Sequence, residues 1–249
     1  MDTKKVIVCD LDGTLAPSKS SISSDMAEVL CHILSRHLLA IVSGGAFEQF
    51  EKQFLSKLNC GPELLQNLSL FPTMGSACYV YDKEKNNWKL LYNELLSKKE
   101  RDKIKKSINE AIKETKLDLS GAYGDIVEDR GSQITFSGCG QKAPTEVKET
   151  WDKDKFKRRA LTEILEKKIP EFDIRMGGAT SIDITRKGVD KAYAISKIKD
   201  LLKVSDDDII FVGDALYQGG NDEPVKSTGV DFIQEEGPDQ TLELLSHYM

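Results

Sequence analysis

Apolar and polar positions follow two different periods along this chain, and the switch between them divides it. The opening run Lys5-Val-Ile-Val-Cys9 is apolar after its first residue and stops sharply at Asp10. A short continuous run of β-prone residues predicts a strand buried on both faces, as in a parallel sheet. A Pro- and Ser-rich loop, 16–23, follows. Ser24 then stands where a helix cap belongs, and Met26, Val29, Leu30, Ile33 and Leu34 share one face at the helical period. Residues 38–42 form a second apolar run, ended by Ser43-Gly44-Gly45, and Phe47, Phe50, Phe54 and Leu58 mark the next helix. Strand, helix, strand, helix predicts a parallel sheet with helices on its faces.

Past residue 72 the pattern changes. Segments 74–81 and 88–92 read as a hairpin around a charged turn. Ser97 and Glu100 have capping-box spacing and open a Lys-rich helix with Ile104, Ile108 and Ile112 inward. Segments 126–136 and 172–184 alternate, and between them lies a helix carrying Phe156, Ala160, Leu161, Ile164 and Leu165. The α/β rhythm then returns with a helix over 190–202, a buried strand over 208–212, Gly213-Asp214 and a Gly-rich loop. A short strand over 230–233 and a last helix with Leu242 and Leu245 complete it. The expected architecture is an α/β core domain, 1–85 and 187–249, interrupted by an α+β cap domain, 86–186, on an antiparallel sheet. Segments 82–92 and 184–188 are the expected hinges.

Composition narrows the function. At roughly 150 residues per domain, 249 residues fall between one domain and two. Lys and Arg total 35 against 41 Asp and Glu, a net charge of −6, which argues against nucleic acid or an anionic membrane as partner. The five-residue apolar run 38–42 is far short of the roughly 20 residues of a membrane-spanning helix. Lys4 and Lys5 precede only four apolar residues, too few for a signal peptide. Five cysteines with no Cys-x-x-Cys pair predict neither a disulfide framework nor a thiolate zinc site. Cys9 and Cys31 read as small buried hydrophobes, and a reducing cytoplasm is the expected compartment. With only His32, His37 and His247, any metal must be held by oxygen, which favours Mg²⁺.

The strongest chemical signal is Asp10-Leu-Asp12-Gly-Thr14, directly after the first strand. A calcium loop does not fit it, because Gly falls at position four and no Glu closes twelve residues. A simple turn does not explain two carboxylates at the carboxyl end of a buried parallel strand, where open α/β sheets bind ligands. Topology brings Ser43, Lys191, Gly213-Asp214 and Gly219-Gly-Asn-Asp222 to the same sheet edge. Each alone reads as a cap, a solvated lysine or a turn. Together they make an oxygen-ligand metal site beside a phosphate site.

These segments resemble the four motifs of the haloacid dehalogenase (HAD) superfamily of phosphotransferases. The cap between the second and third motifs is similar to that of its type-IIB members, the sugar phosphatases and eukaryotic-type phosphomannomutases. Glu128-Asp-Arg130, Gly177-Gly-Ala-Thr-Ser181-Ile-Asp183 and Gly188-Val-Asp190-Lys191 are particularly mutase-like. The resemblance implies a Rossmann-like core, a cytoplasmic enzyme acting on a small phosphorylated sugar, and a homodimer formed through the cap. It implies Asp10 as nucleophile and Asp12 as general acid and base, with Thr14, Ser43 and Lys191 on the phosphoryl oxygens. Mg²⁺ would be held by Asp10, the Asp12 carbonyl and Asp214, supported by Asp222. Gly44 and Gly45 would line the phosphate, and Arg130, Ser181 and Asp183 would hold the sugar.

Phosphatase and mutase differ in what accepts the phosphoryl group. A mutase must grip the non-reacting phosphate, as arginine does best. Arg130 matches one such arginine of the phosphomannomutases, but Lys19, Gln141 and Lys148 stand at the positions aligned with others. Ser43 is also phosphatase-like. The sequence therefore favours hydrolysis by a sugar-phosphate phosphatase, with phosphomannomutase as the alternative. A non-catalytic sugar-phosphate-binding protein is disfavoured, since Asp10, Asp12, Lys191 and Asp214 are all present.

Overall fold

The apolar runs from both ends of the chain meet in one sheet. A computed structural model describes residues 4–18 and 20–248. In chain order, the first stretch holds β1 (Val6–Asp10), α1 (Ser24–Leu34), β2 (Leu38–Val42), α2 (Phe47–Phe50), α3 (Pro62–Leu65), β3 (Leu68–Phe71), β4 (Ala77–Asp82) and β5 (Asn87–Asn93). The middle holds α4 (Lys98–Thr115), β6 (Val127–Asp129), β7 (Gln133–Ser137), α5 (Thr145–Trp151), α6 (Phe156–Lys168), β8 (Phe172–Gly177) and β9 (Ser181–Arg186). The last holds α7 (Lys191–Leu202), β10 (Ile209–Gly213), β11 (Asp231–Gln234) and α8 (Pro238–Ser246).

One unit comprises Met1–Asn93 and Asp190–Met249, and the other Glu94–Val189. The first is built on a seven-stranded sheet in the order β11-β10-β1-β2-β3-β4-β5. From β11 to β3 neighbouring strands are parallel, and β4 and β5 continue as an antiparallel edge. Strand alternation sends successive residues to opposite faces. Ile7, Cys9, Leu39, Ile41, Ile210 and Val212 therefore pack with Met26, Leu30 and Ile33 of α1. Val6, Val8, Ala40, Val42, Ile209 and Phe211 pack with Ala194, Ile195 and Ile198 of α7. Burial on both faces is why these strands read as unbroken apolar runs. It makes the unit a Rossmann-like core.

Several expectations are corrected here. Residues 87–93 belong to this large sheet, where β5 pairs with β4, so the hairpin is core and the units change at 93/94 and 189/190 rather than at 86 and 186. The expected hinge segments 82–92 and 184–188 accordingly fall largely within strands β5 and β9. Ser23, not Ser24, caps α1, its Oγ accepting from the Met26 amide at 3.1 Å. Cys31 is not a lone buried hydrophobe. It forms a disulfide with Cys60, with Cα atoms 5.5 Å apart. The two lie 29 residues apart, so only the fold reveals the pairing. No described helix is long and apolar enough to cross a membrane.

The second unit carries the antiparallel sheet β6-β7-β9-β8. Ile134, Phe136, Ile182 and Ile184 form its apolar face, against Ile104 and Ile108 of α4 and Leu161 and Leu165 of α6. The capping box of Ser97 and Glu100 is present at the start of α4. Phe156 is 71% exposed, contrary to expectation, while Arg158 is buried. The buried stripe of α6 is 158, 161 and 165, and a residue two positions earlier lies about 200° round the helix.

Candidate active site

The sheet order places β1 between β10 and β2, so the chain leaves the carboxyl ends of adjacent parallel strands in opposite directions. That is the topological switch point at which such sheets bind ligands. Asp10 ends β1, Ser43 follows β2, and Asp214 follows β10. Lys191 is the first residue of α7, whose N-cap is the Asp190 side chain, accepting from the Tyr193 amide at 3.1 Å.

These residues converge. Lys191 is fully buried and its Nζ donates to Asp10 Oδ1 at 2.6 Å. It also forms a short ion pair with Asp222. Asp222 Oδ2 accepts from the Ala215 amide at 2.9 Å. Thr14 Oγ1 lies 3.4 Å from Asp10 Oδ2 and 3.3 Å from Asp214 Oδ1. Gly13 has φ +91°, and a Cβ there would stand 2.8 Å from Asp214 Cγ, so glycine meets both a backbone and a space requirement.

Electrostatics describe an incomplete cluster. Burial, then the neighbouring Asp222 and Asp214, push the Asp10 carboxyl well above the ordinary range against the pull of Lys191. Burial and Asp222 likewise raise Asp214. Burial works against the Lys191 charge, but Asp10 and Asp222 more than offset it and raise its affinity for the proton. Three carboxylates thus share one ammonium. Oxygens of Asp10, Asp214 and Asp222 all lie within 4.8 Å of one another, a donor set that fits a hard, oxygen-loving metal ion.

Two further expected residues make contacts of their own. The Asp12 side chain is not in this metal-ligand group. Gln49 Nε2 donates to its Oδ2 at 2.8 Å and Gln53 Nε2 to its Oδ1 at 3.4 Å. Ser43 Oγ accepts from the Gly45 amide at 3.0 Å, and Gly44 lies between them in the same turn. Sequence reasoning misses both glutamines, because glutamine on a helix ordinarily reads as a solvated face.

Within the second unit, the polar face of the sheet gathers other expected residues. Pairing places Glu128, Thr135, Asp183 and Arg175 in one row across all four strands. Thr135 Oγ1 donates to Asp183 Oδ1 at 2.7 Å. A Cβ at Gly177 would stand 2.7 Å from Asp183 Oδ2. Ser181 begins β9 on the same face, and Arg130 donates through Nε and Nη2 to Glu128 Oε2 at 3.0 and 2.7 Å. Gln141 lies in the turn after β7, where its amide donates to the Asp125 carbonyl at 3.0 Å. Its Nε2 is buried without a partner among the described residues. Lys148 is half-buried on α5, a helix the sequence pattern does not reveal. Lys19 lies outside the described residues. Arg175 was not expected. Its strand alternates apolar and polar residues, and only the register shows that it neighbours Asp183.

Fold and acidic cluster together define an enzyme of the haloacid dehalogenase superfamily. The IMP-bound, N-terminally truncated IMP-nucleotidase of Plasmodium falciparum matches 99% of this chain and 69% of its own, with TM-score 0.71 and 16% identity. A haloacid dehalogenase-like hydrolase from Bacteroides thetaiotaomicron matches 99% and 100%, with TM-score 0.64 and 16% identity. At such identities the likeness is one of fold. Sequence goes further: the eukaryotic phosphomannomutase family profile matches residues 26–246, and the chain belongs to that family. The phosphomannomutase of Schizosaccharomyces pombe is 28% identical over 226 residues, covering 88% of this chain and 84% of the relative. That of Saccharomyces cerevisiae is 26% identical over 255 residues, covering 97% and 92%. The expectation of hydrolysis does not find support in these relatives, and the alternative of isomerisation fits them better.

Proposed function

We propose that this chain interconverts mannose 1-phosphate and mannose 6-phosphate, passing the phosphoryl group through Asp10. The observation that carries the reading is the buried Lys191–Asp10 pair inside an acidic cluster, in a chain matched by the phosphomannomutase profile over 26–246. Asp10 Oδ attacks one phosphorus of a hexose bisphosphate, the bond from that phosphorus to the sugar oxygen breaks, and Asp12 gives the oxygen its proton, leaving a hexose monophosphate and phosphorylated Asp10. In the return half, Asp12 takes the proton from the free hydroxyl of a mannose monophosphate, which displaces the Asp10 carboxylate from phosphorus and regenerates the bisphosphate. Thr14, Ser43 and Lys191 steady the equatorial oxygens through both halves. Asp10, Asp214, Asp222 and the Asp12 carbonyl would hold Mg²⁺, which when bound supplies the positive charge that lets an anionic nucleophile approach an anionic phosphate.

In the cap, Ser181 and Asp183 are assigned to the sugar. Arg130, Arg175 and Lys148 are assigned to the phosphate that does not react. Gln141 and Lys148 replace expected guanidinium groups, and Arg175, in register with Asp183, offers one in their stead. The test is a product ratio. Mannose 1-phosphate, Mg²⁺ and a hexose bisphosphate primer should give mannose 6-phosphate faster than inorganic phosphate. Phosphate release exceeding isomerisation under those conditions would return the assignment to the sugar-phosphate phosphatases.

A further inference from the structure

We infer that Gln49 and Gln53 form an amide clamp that positions Asp12 for proton transfer, an inference that rests on the acid–base role proposed above for Asp12. Each carboxylate oxygen of Asp12 receives its own amide, Oδ2 from Gln49 at 2.8 Å and Oδ1 from Gln53 at 3.4 Å. The clamp is built rather than incidental, as three independent features show.

Gln53 is only 5% exposed, although its neighbour Phe54 already takes the core-facing position at 0%. Its Oε1 is buried without a hydrogen-bond partner among the described residues. Such an orphaned acceptor is costly, so the side chain is held there by what its Nε2 does. Next, α2 does not continue as an α-helix but widens into a π turn over Glu51–Leu55, closed by the Ser56 amide on the Glu51 carbonyl at 2.9 Å. Such turns are rare and recur at functional sites. Here Phe50 and Phe54 form one stripe into the core while Gln49 and Gln53 form the adjoining stripe toward Asp12. Finally, Gly45 makes room. A Cβ there would stand 2.6 Å from Gln49 Cδ and 3.2 Å from Gln49 Cβ.

The choice of amides is chemically apt. Lysine or arginine would hold Asp12 as an ion pair and oppose its protonation. A neutral amide donates to the carboxylate and, turned over, accepts from the carboxylic acid. A residue that must alternately give and take one proton is served in both states.

Leaving-group chemistry separates positioning from simple packing. A sugar alkoxide needs a proton to depart, whereas nitrophenolate leaves without one. Gln49→Met and Gln53→Met should each lower kcat on mannose 1-phosphate by roughly 10- to 100-fold, as expected for a misplaced acid. KM should stay within about twofold, and the first, pre-steady-state release of nitrophenolate from p-nitrophenyl phosphate, which needs no acid, within about threefold. A loss in that first release equal to the loss on the sugar phosphate would mean the glutamines only support the fold. Unchanged or faster sugar-phosphate turnover would also overturn the clamp. Should Gln53→Met lose its thermal transition, the more exposed Gln49→Met decides the matter. Asp12→Asn separates the two possible failures. A wild-type rate there removes the acid–base reading and the clamp together, whereas an inactive Asp12→Asn beside unaffected glutamine variants removes the clamp alone.

Discussion

The two units handle charge in opposite ways. In the core, Asp10, Asp214 and Asp222 share the ammonium of Lys191, and burial leaves Asp10 and Asp214 above their ordinary pKa range. In the cap, several buried and half-buried charges are each met by an opposite charge. Asp152, 4% exposed, faces Arg158, 3% exposed, across 2.8 Å. The same guanidinium donates to the Gly178 carbonyl at 2.8 Å and so fixes the turn that leads from β8 into β9, the strand with Ser181 and Asp183. Glu100 holds Arg186, and Glu128 holds Arg130. Surplus negative charge marks where something cationic and something phosphorylated are to arrive. Balanced charge marks where shape must already exist.

The sharpest way to break this contrast is Asp10→Asn, which keeps shape and removes the charge of the proposed nucleophile. Sugar-phosphate turnover should fall by about 10³-fold or more, with the circular dichroism spectrum unchanged. More than a tenth of wild-type turnover would remove Asp10 from the chemistry. Lys191→Met tests the shared ammonium from the stability side. Stranding Asp10 and Asp222 without it should cost about 3–5 kcal/mol, read as a lowered thermal transition. Added Mg²⁺ should raise that transition more in the variant than in the wild type, and an equal response would refute the idea of one shared charge deficit.

In the cap the effects should be smaller and of another kind. Arg175→Ala and Arg130→Ala each remove a charge-assisted contact worth about 1.5–3 kcal/mol. KM for mannose 1-phosphate should rise by roughly tenfold or more, and the ratio of isomerisation to phosphate release should fall, with p-nitrophenyl phosphate turnover preserved. Loss of turnover on both substrates would contradict a role confined to the sugar end. The mildest test is Glu100→Gln. Hydrogen bonds from Arg186 and then Ser97 hold the Glu100 carboxyl at about 2 instead of 4.5. A lowered carboxyl pKa stabilises the fold above pH 4.5, and that contribution disappears as pH falls from 4.5 toward 2. Because the pair is partly open to solvent, the variant should lose only about 0.5 kcal/mol at neutral pH. Wild-type and variant melting curves should converge toward pH 2, and a constant gap down to that pH would count against the pair.

What the sequence discloses and what it conceals follow from range. β1, β2 and β10 are legible because burial on both faces leaves continuous apolar runs, and α4 because its capping box is local. The site carboxylates are legible because they close those same strands. β3 is only four residues long, Leu-Ser-Leu-Phe, and carries no turn signal of its own, so it goes unseen. Of the antiparallel hairpin β4–β5, the second strand is drawn to the wrong unit, since alternation reports pairing geometry but not which sheet is joined. The Cys31–Cys60 bond, the Arg175–Asp183 neighbourhood and the glutamines on Asp12 all depend on residues brought together from afar. No local pattern encodes them.

The interruption of the core has a consequence for the order in which the molecule is made. β1 pairs with β2 on one side, but its other neighbour is β10, with Val6 opposite Ile209. When Asn93 leaves the ribosome, the central strand still has one edge unpaired, and Lys191, Asp214 and Asp222 do not yet exist. At roughly 5–20 residues per second, about 6–24 s of synthesis separate Asn93 from Gly213. During that interval Glu94–Val189, continuous in sequence, has all four of its strands and its own apolar core. The inserted unit is therefore able to fold first, while β1 waits with Val6 and Val8 uncovered by α7 and one row of backbone groups open to other chains. The nascent protein is most vulnerable to aggregation at the strand that ends in Asp10.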